Sequence, residues 1–251
     1  MIRTIIKKNQ TIVSMYRKLI FYKNCLTKDA FNFKKWVLFE KVYPYTMISY
    51  ERLSNVYDLS RLIEKEKKEG SFVECGVWKG GCAAVMAFIA DRAKSNRKVW
   101  LFDSFEGLPE PTDKDGGLAK KYAKNKTSGK LLSINECVGP LEDVKKIFFS
   151  ELKINKKNIV IKKGWFQDTL PEAKDKIGPI SILRLDADWY ESTKSCLDAL
   201  YDKIVCGGYV VIDDYGHWEG TKKAVDEFLR ERGLNPTLIK IDYTGIYFKK
   251  P

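Results

Sequence analysis

One histidine stands among 251 residues, and none of the six cysteines forms a Cys-x-x-Cys pair. A zinc site needs Cys and His ligands clustered at short spacing, so zinc chemistry does not fit this chain. Cys25, Cys75, Cys82, Cys137, Cys196 and Cys206 read instead as free thiols of a reducing compartment. Long apolar runs are missing too. Stretches such as Gly208–Ile212 have strand length, well short of the roughly 20 residues of a membrane span. The N-terminus lacks a compact apolar core followed by a small-residue cleavage site, so no secretory signal is expected and the chain is placed in the cytoplasm. Also absent is Gly-x-Gly-x-x-Gly at the first glycine loop, which argues against a nicotinamide oxidoreductase.

What is present suffices for a core: 44% of residues are hydrophobic and 31% charged. The length fits one domain plus an extension. Residues 1–50 carry ten Lys or Arg against Asp29 and Glu40, a net of +8 of the whole chain's +12. Residues 1–42 therefore read as a basic, helical N-terminal extension and residues 43–251 as a nearly balanced domain. Such an extension suits an anionic membrane, nucleic acid or a phosphorylated substrate, the plain alternative being a solvated helix face.

Helical spacing of Ile12, Met15, Tyr16, Leu19 and Ile20 predicts a helix over 10–23. Phe31, Phe33, Trp36, Val37 and Phe39 predict a second over 29–41. A third runs Ser54–Lys68 and stops at Gly70. Short strands then alternate with helices: strand Ser71–Val77, helix Gly81–Ala93, strands Lys98–Ser104, Ile159–Trp165 and Ile180–Asp188, helix Glu191–Ile204, strand Gly208–Asp214, helix Gly220–Glu231. Pro236–Asp242 and Ile246–Lys249 close the chain as a hairpin. The alternation predicts a Rossmann-like α/β domain, with a central, mostly parallel seven-stranded sheet, helices on both faces and a C-terminal antiparallel hairpin. Leu108–Val144, rich in Gly, Lys, Asp and Pro, resists the pattern and reads as a lid (about 108–144) over a site.

Strand ends of an open α/β sheet face the ligand crevice. The first ends in Glu74-Cys75-Gly76-Val77-Trp78-Lys79-Gly80-Gly81. Its glycines let backbone approach a cofactor, and Glu74 suits a cationic amino-acid ligand better than a diphosphate. Asp103 follows Gly81 by 22 residues, the usual place of an acid that accepts ribose hydroxyls. Together these tilt the cofactor toward S-adenosylmethionine. Later strand ends bring Asp186, Asp188, Asp213 and Asp214 to one place. Packed carboxylates repel unless protonated or bound to a cation, and an oxygen-only ligand set favours Mg²⁺. One of Asp186 and Asp188 is expected to cap the helix near Glu191, leaving the other aspartates for metal or base chemistry.

Six segments in order, Tyr45–Leu53, Glu74–Gly81, Phe102–Pro109, Gly164–Pro171, Asp186–Thr193 and Gly207–Tyr215, give the chain a resemblance to the macrocin O-methyltransferase family. The first 42 residues match nothing in it. The resemblance implies a class I methyltransferase fold, S-adenosylmethionine and Mg²⁺ as cofactors, and methylation of a sugar or glycoside hydroxyl. The acceptor would be a surface polysaccharide, a nucleotide sugar or a natural-product deoxysugar. It further implies that Asp186, Asp213 and Asp214 hold Mg²⁺, with Asp186 also near the cofactor, and that Asp188 is the general base. Glu74, Gly76, Gly80, Asp103 and Ser104 would bind S-adenosylmethionine. Gly164, Trp165, Phe166 and Asp168 would pass near its adenine, and Thr46, Met47 and Ser49 would close over cofactor and substrate.

His217 offers an alternative base, and Trp165, Trp189 and Trp218 either stack on sugar rings or fill core. A catechol-type O-methyltransferase and a non-catalytic, membrane-associated binding module are the rival functions. The 29–41 helix is expected to pack on a partner subunit or its own domain, giving a homodimer. The first helix, Arg3–Lys23, is expected to stay mobile and to touch an anionic membrane through residues 1–23 at its inner face. No nucleic acid partner is expected.

Overall fold

The computed structural model describes residues 10–251. Strands β1 (Ser71–Cys75) and β4 (Ile180–Leu185) are buried along their whole length, as strands covered on both faces must be. They lie side by side at the centre of a seven-stranded sheet of order β3-β2-β1-β4-β5-β7-β6. The others are β2 (Val99–Asp103), β3 (Ile159–Lys163), β5 (Ile204–Ile212), β6 (Ile239–Lys240) and β7 (Ile246–Lys249). β1 to β5 run parallel, and β7 is antiparallel to both β5 and β6. The chain winds outward from β1 to β3, returns to β4 and winds the other way. The crevice at the carboxyl ends of β1 and β4 is thus the topological switch point.

Alternate side chains of β2 feed the two faces: Val99 and Leu101 join one core, Trp100 and Phe102 the other. The first core is covered by α1 (Gln10–Lys28), α2 (Phe33–Val42), α3 (Tyr50–Lys65) and α4 (Gly81–Ala93). The second lies under α7 (Phe166–Ile177), α8 (Tyr190–Leu200) and α9 (Glu219–Glu231). Strand ends fall earlier than the apolar pattern implied, at Cys75, Asp103 and Leu185. The following Gly76, Ser104 and Asp186 are thereby released into the crevice. β6 shrinks to Ile239–Lys240 from the expected 236–242, and Pro236 has no N–H to offer a ladder. Helix α7 was not anticipated, because Pro171 sits inside it.

The segment 108–144 is built in part. Pro109 bridges Ser133, α5 (Gly116–Tyr122) follows a capped turn at Asp113–Asp115, and α6 (Leu141–Lys145) runs into a π-helical turn over Lys146–Glu151.

At the N-terminal end, Asn32 caps α2 by accepting the Lys35 N–H at 3.2 Å. Leu38, Phe39 and Val42 of α2 are buried in the chain's own first core. Of the two surfaces expected for this helix, its own domain takes the apolar face. Phe31 and Phe33, grouped with Phe39 by spacing, point outward at 103% and 74% exposure. α1 buries Phe21 and Cys25 but exposes Met15, Leu19 and Leu26. The expected Arg3–Lys23 helix lies outside the described residues up to Asn9. All six cysteines are free, and no described helix is long and apolar enough to cross a membrane.

Candidate active site

The loop after β1 lies against the end of β4. A Cβ at Gly76 (φ +84°) would fall 1.9 Å from the Asp186 carbonyl oxygen, so only glycine permits this approach. Gly80 (φ +86°) then turns the chain into α4, and its flank packs on Val144 and Phe148 rather than facing the crevice. Asp103 fastens this loop to β2. Its Oδ2 accepts the N–H groups of Val77 and Trp78 at 2.8 and 2.9 Å, and its Oδ1 that of Phe105 at 2.6 Å. An oxygen has two acceptor lone pairs, so Oδ1 keeps one for a ligand while Oδ2 is filled. Burial raises the Asp103 pKa despite the three amides.

A cleft of about 210 Å³ opens here. Gly76, Asp103 and Ser104 line one side, Gly164, Trp165 and Phe166 a second, and Met47 with its neighbour Ile48 a third. Asp186, Asp188, Asp213 and Asp214 all face it. Ser104 also shapes its own turn, donating to the Gly107 carbonyl and accepting from the Glu106 amide.

Several expected residues stand elsewhere. Thr46 is buried beneath the cleft wall, its hydroxyl accepting the Ile48 N–H. Ser49 caps α3 and donates to Asp242 at 2.5 Å, so its hydroxyl is spent on structure. Asp168 is exposed in the first turn of α7, outside the cleft lining. His217 is exposed beside Tyr243, because a turn in which its amide bonds the Asp214 carbonyl rolls it outward. Asp188 is therefore the candidate base that faces the cleft. Trp189 and Trp218 are buried edge to face under the lid, and only Trp165 of the three tryptophans lines the cleft.

Glu74 is buried and pairs with the Arg184 guanidinium instead of reaching the cleft. Burial pushes its carboxyl up to about 7, against the pull of Arg184. Arg184 also pairs with Asp186 at 3.1 Å and with Asp213. Arg52, reaching in from α3, holds the other oxygen of Asp213 and pairs with Asp242 at 3.0 Å. Two arginines thus neutralise Asp213. Neither role was legible beforehand, although Arg52 stood in the Tyr45–Leu53 segment and Arg184 in the expected strand Ile180–Asp188.

Among the described residues, the carboxylates that converge closely enough to share a cation are Asp186, Asp188 and Asp214, whose oxygens lie within 4.8 Å of one another. Asp213, the third ligand that the resemblance implies, is held here by the two arginines. Asp214 Oδ2 is buried with no hydrogen-bond partner. Burial first, then the neighbouring aspartates, raises the Asp188 and Asp214 carboxyls well above the ordinary range, and Asp213 to about 6. Asp188 adopts a left-handed backbone (φ 56°), which is uncommon for a non-glycine residue. Trp218 Nε1 donates to its Oδ1 at 2.8 Å, and the Thr221 hydroxyl donates to its carbonyl at 2.6 Å. The expected helix cap is made by neither Asp186 nor Asp188. Asp115 of the 108–144 segment accepts the Tyr190 N–H at the start of α8.

Comparison with known proteins places this geometry. The family model described as macrocin O-methyltransferase (TylF) matches residues 26–250. A demethyldecarbamoylnovobiocin O-methyltransferase of Streptomyces niveus is 33% identical over 207 residues, covering 82% of this chain and 76% of the relative. The mycinamicin III 3''-O-methyltransferase of Micromonospora griseorubida is 30% identical, covering 82% and 78%. The solved structure of the O-methyltransferase NovP superimposes with a TM-score of 0.71 at 34% identity, covering 82% of each chain.

Proposed function

The chain belongs to the macrocin O-methyltransferase family, and on that premise we propose that it transfers a methyl group from S-adenosylmethionine to a hydroxyl of a sugar or glycoside. The observation that carries this reading is the convergence of Asp186, Asp188 and Asp214 within 4.8 Å of one another, in the same cleft as the Gly76 loop and Asp103.

The residues fit both groups that the family implies. For the cofactor, Gly76 opens the backbone, Asp103 Oδ1 has a free lone pair for a ribose hydroxyl, and Trp165 and Phe166 offer apolar surface for a base. For a divalent cation, the donors are all oxygen, and the orphaned Asp214 Oδ2 is an acceptor awaiting a positive partner. We assign Mg²⁺ to Asp186, Asp213 and Asp214. Asp213 is paired with both Arg52 and Arg184 here, so it would join that set by releasing one of them, and Arg52 has Asp242 as a second partner.

Bound Mg²⁺ supplies a Lewis acid that lowers the pKa of a coordinated hydroxyl. The chain's own residues do the rest. Asp188, held at Oδ1 by Trp218, takes the hydroxyl proton on its other oxygen, a contribution of about 10²–10⁴-fold for general-base steps. The Met47–Ile48 wall and the lid hold acceptor and cofactor in line and exclude water.

Binding tests this directly. S-adenosylhomocysteine and Mn²⁺ should each give calorimetric binding, and Asp214→Ala and Asp186→Ala should abolish the Mn²⁺ signal while the homocysteine ligand still binds. Mn²⁺ binding unchanged in both variants would refute the metal assignment. We further propose a homodimer, and a monomer by light scattering would refute that.

A further inference from the structure

A second concavity, of about 1080 Å³, lies between α2, α3, α4 and the chain at Leu152–Lys153. Its floor is apolar: Val37, Phe88 and Ile89 are all partly exposed there. Its rim carries Lys34, Lys41, Arg61, Arg92 and Lys153, all exposed. Among the described residues none of these five forms an ion pair, although Arg61 lies near Asp58. Lys41 Nζ touches only the Glu151 carbonyl, at 3.5 Å. Arg61 and Arg92 lie over the rings of Tyr57 and Phe88, at 5.7 and 4.9 Å. The two acids of the lining are engaged elsewhere: Glu64 with Arg97 and Ser95, Glu151 with the Tyr45 hydroxyl. Phe33 stands at the mouth, 74% exposed, and Phe31 two residues before it is fully exposed.

An apolar floor under unneutralised cations calls for an anionic amphiphile. A second copy of the chain is the wrong match. The exposed apolar residues of α1 lie in a segment, Gln10–Lys28, that contains no Asp or Glu and several Lys. Like charge would meet like.

We propose that this groove docks the protein onto a bilayer containing anionic phospholipid, with lipid phosphates over the five cations and Phe31 and Phe33 set into the interface. Aromatic side chains favour that depth, and juxtaposed Lys and Arg add electrostatic attraction to anionic lipid. With no described helix able to span a membrane, the attachment is peripheral and reversible. The enzyme would thereby be held beside acceptors carried at a membrane surface.

The test is sedimentation of the full chain with phosphatidylcholine vesicles, with and without phosphatidylglycerol. Binding is expected only with phosphatidylglycerol, and high salt should release it. Lys34→Gln, Lys41→Gln, Arg61→Gln and Arg92→Gln combined should weaken it by roughly 1000-fold. The charge-matched control Lys174→Gln, Lys176→Gln, Lys223→Gln and Lys240→Gln, on α7, α9 and β6, should change it far less. Phe31→Ser with Phe33→Ser should also release the protein. Methyl transfer to a soluble acceptor should be the same in all these variants, which separates this inference from the proposed activity. Four results would overturn it: no binding to phosphatidylglycerol vesicles, an equal loss in groove and control variants, full competition by free glycerol phosphate, or a changed oligomeric state in the groove variant.

Discussion

The Tyr190 N–H at the start of α8 donates to Asp115 Oδ1 at 2.6 Å, across 75 residues of chain. Asp115 Oδ2 meanwhile accepts the Thr112 N–H at 2.7 Å and its hydroxyl at 3.0 Å. One buried carboxylate therefore pins the 108–144 segment to the helix that follows the Asp186–Asp188 segment, and Trp189 Nε1 adds a second pin on the Pro109 carbonyl. Asp115→Ala strands the Tyr190 amide, which should cost about 1–3 kcal/mol of stability. The expected outcome in limited proteolysis is faster cleavage within 108–133, with the rest of the chain protected. Unchanged cleavage would mean that the lid is held by other contacts.

Arg184 is the hub of the buried network. It is 1% exposed and pairs with Glu74, Asp186 and Asp213. Replacing it with Met leaves buried carboxylates without a counter-ion, so Arg184→Met should lose about 3–5 kcal/mol in chemical denaturation. Glu74→Gln in the same background should recover part of the loss. A variant as stable as the parent would remove Arg184 from the account.

Asp103 has two tasks, and its variants should show both. Asp103→Ala should weaken S-adenosylhomocysteine binding by about 1.5–3 kcal/mol through the lost charged hydrogen bond. It should also lower the melting temperature of the ligand-free chain, because the Val77, Trp78 and Phe105 amides lose their acceptor. A loss of affinity with no loss of stability would assign Asp103 to the ligand alone.

The sheet was legible because its strands carry the signal themselves. β1 and β4 are short apolar runs between turn residues, and the hairpin announced itself at Tyr243–Gly245. α7 was hidden by Pro171, whose missing N–H argues against a helix interior until the fold is seen. In the site, the aspartates were legible by their place after β4 and β5. Their partners were not. Glu74 and Arg184 meet because β1 and β4 pair in that register, and nothing in residues 110 positions apart states it. The cap of α8 comes from the lid for the same reason, so local spacing assigned it to the wrong aspartates. Phe31, Phe33 and Phe39 formed one aromatic set in the sequence, but the turn at Asp29–Asn32 and the Asn32 cap turn the first two outward.

Acidity should expose the carboxylate cluster. Burial raises Glu74 to about 7 and Asp213 to about 6, and moves Asp188 and Asp214 well up. Each holds its proton more tightly folded than unfolded. The stability this gives is complete below about pH 4, the unfolded range, and is lost as pH rises through the folded values. The metal-free chain should therefore melt at a lower temperature at about pH 8 than at about pH 5.5. Mg²⁺ should raise the melting temperature more at the higher pH, since it replaces the protons there. Stability that rises with pH over this span would contradict the cluster's assignment.

Transfer of labelled methyl from S-adenosylmethionine to a panel of deoxysugar glycosides, nucleotide sugars and catechols tests the central claim most directly. The account predicts label on a sugar hydroxyl in the presence of Mg²⁺, none in excess chelator, and a rate about 10²–10⁴-fold lower for Asp188→Asn with S-adenosylhomocysteine affinity retained. Label carried to a catechol and to no sugar, or full transfer by Asp188→Asn in excess chelator, would contradict it.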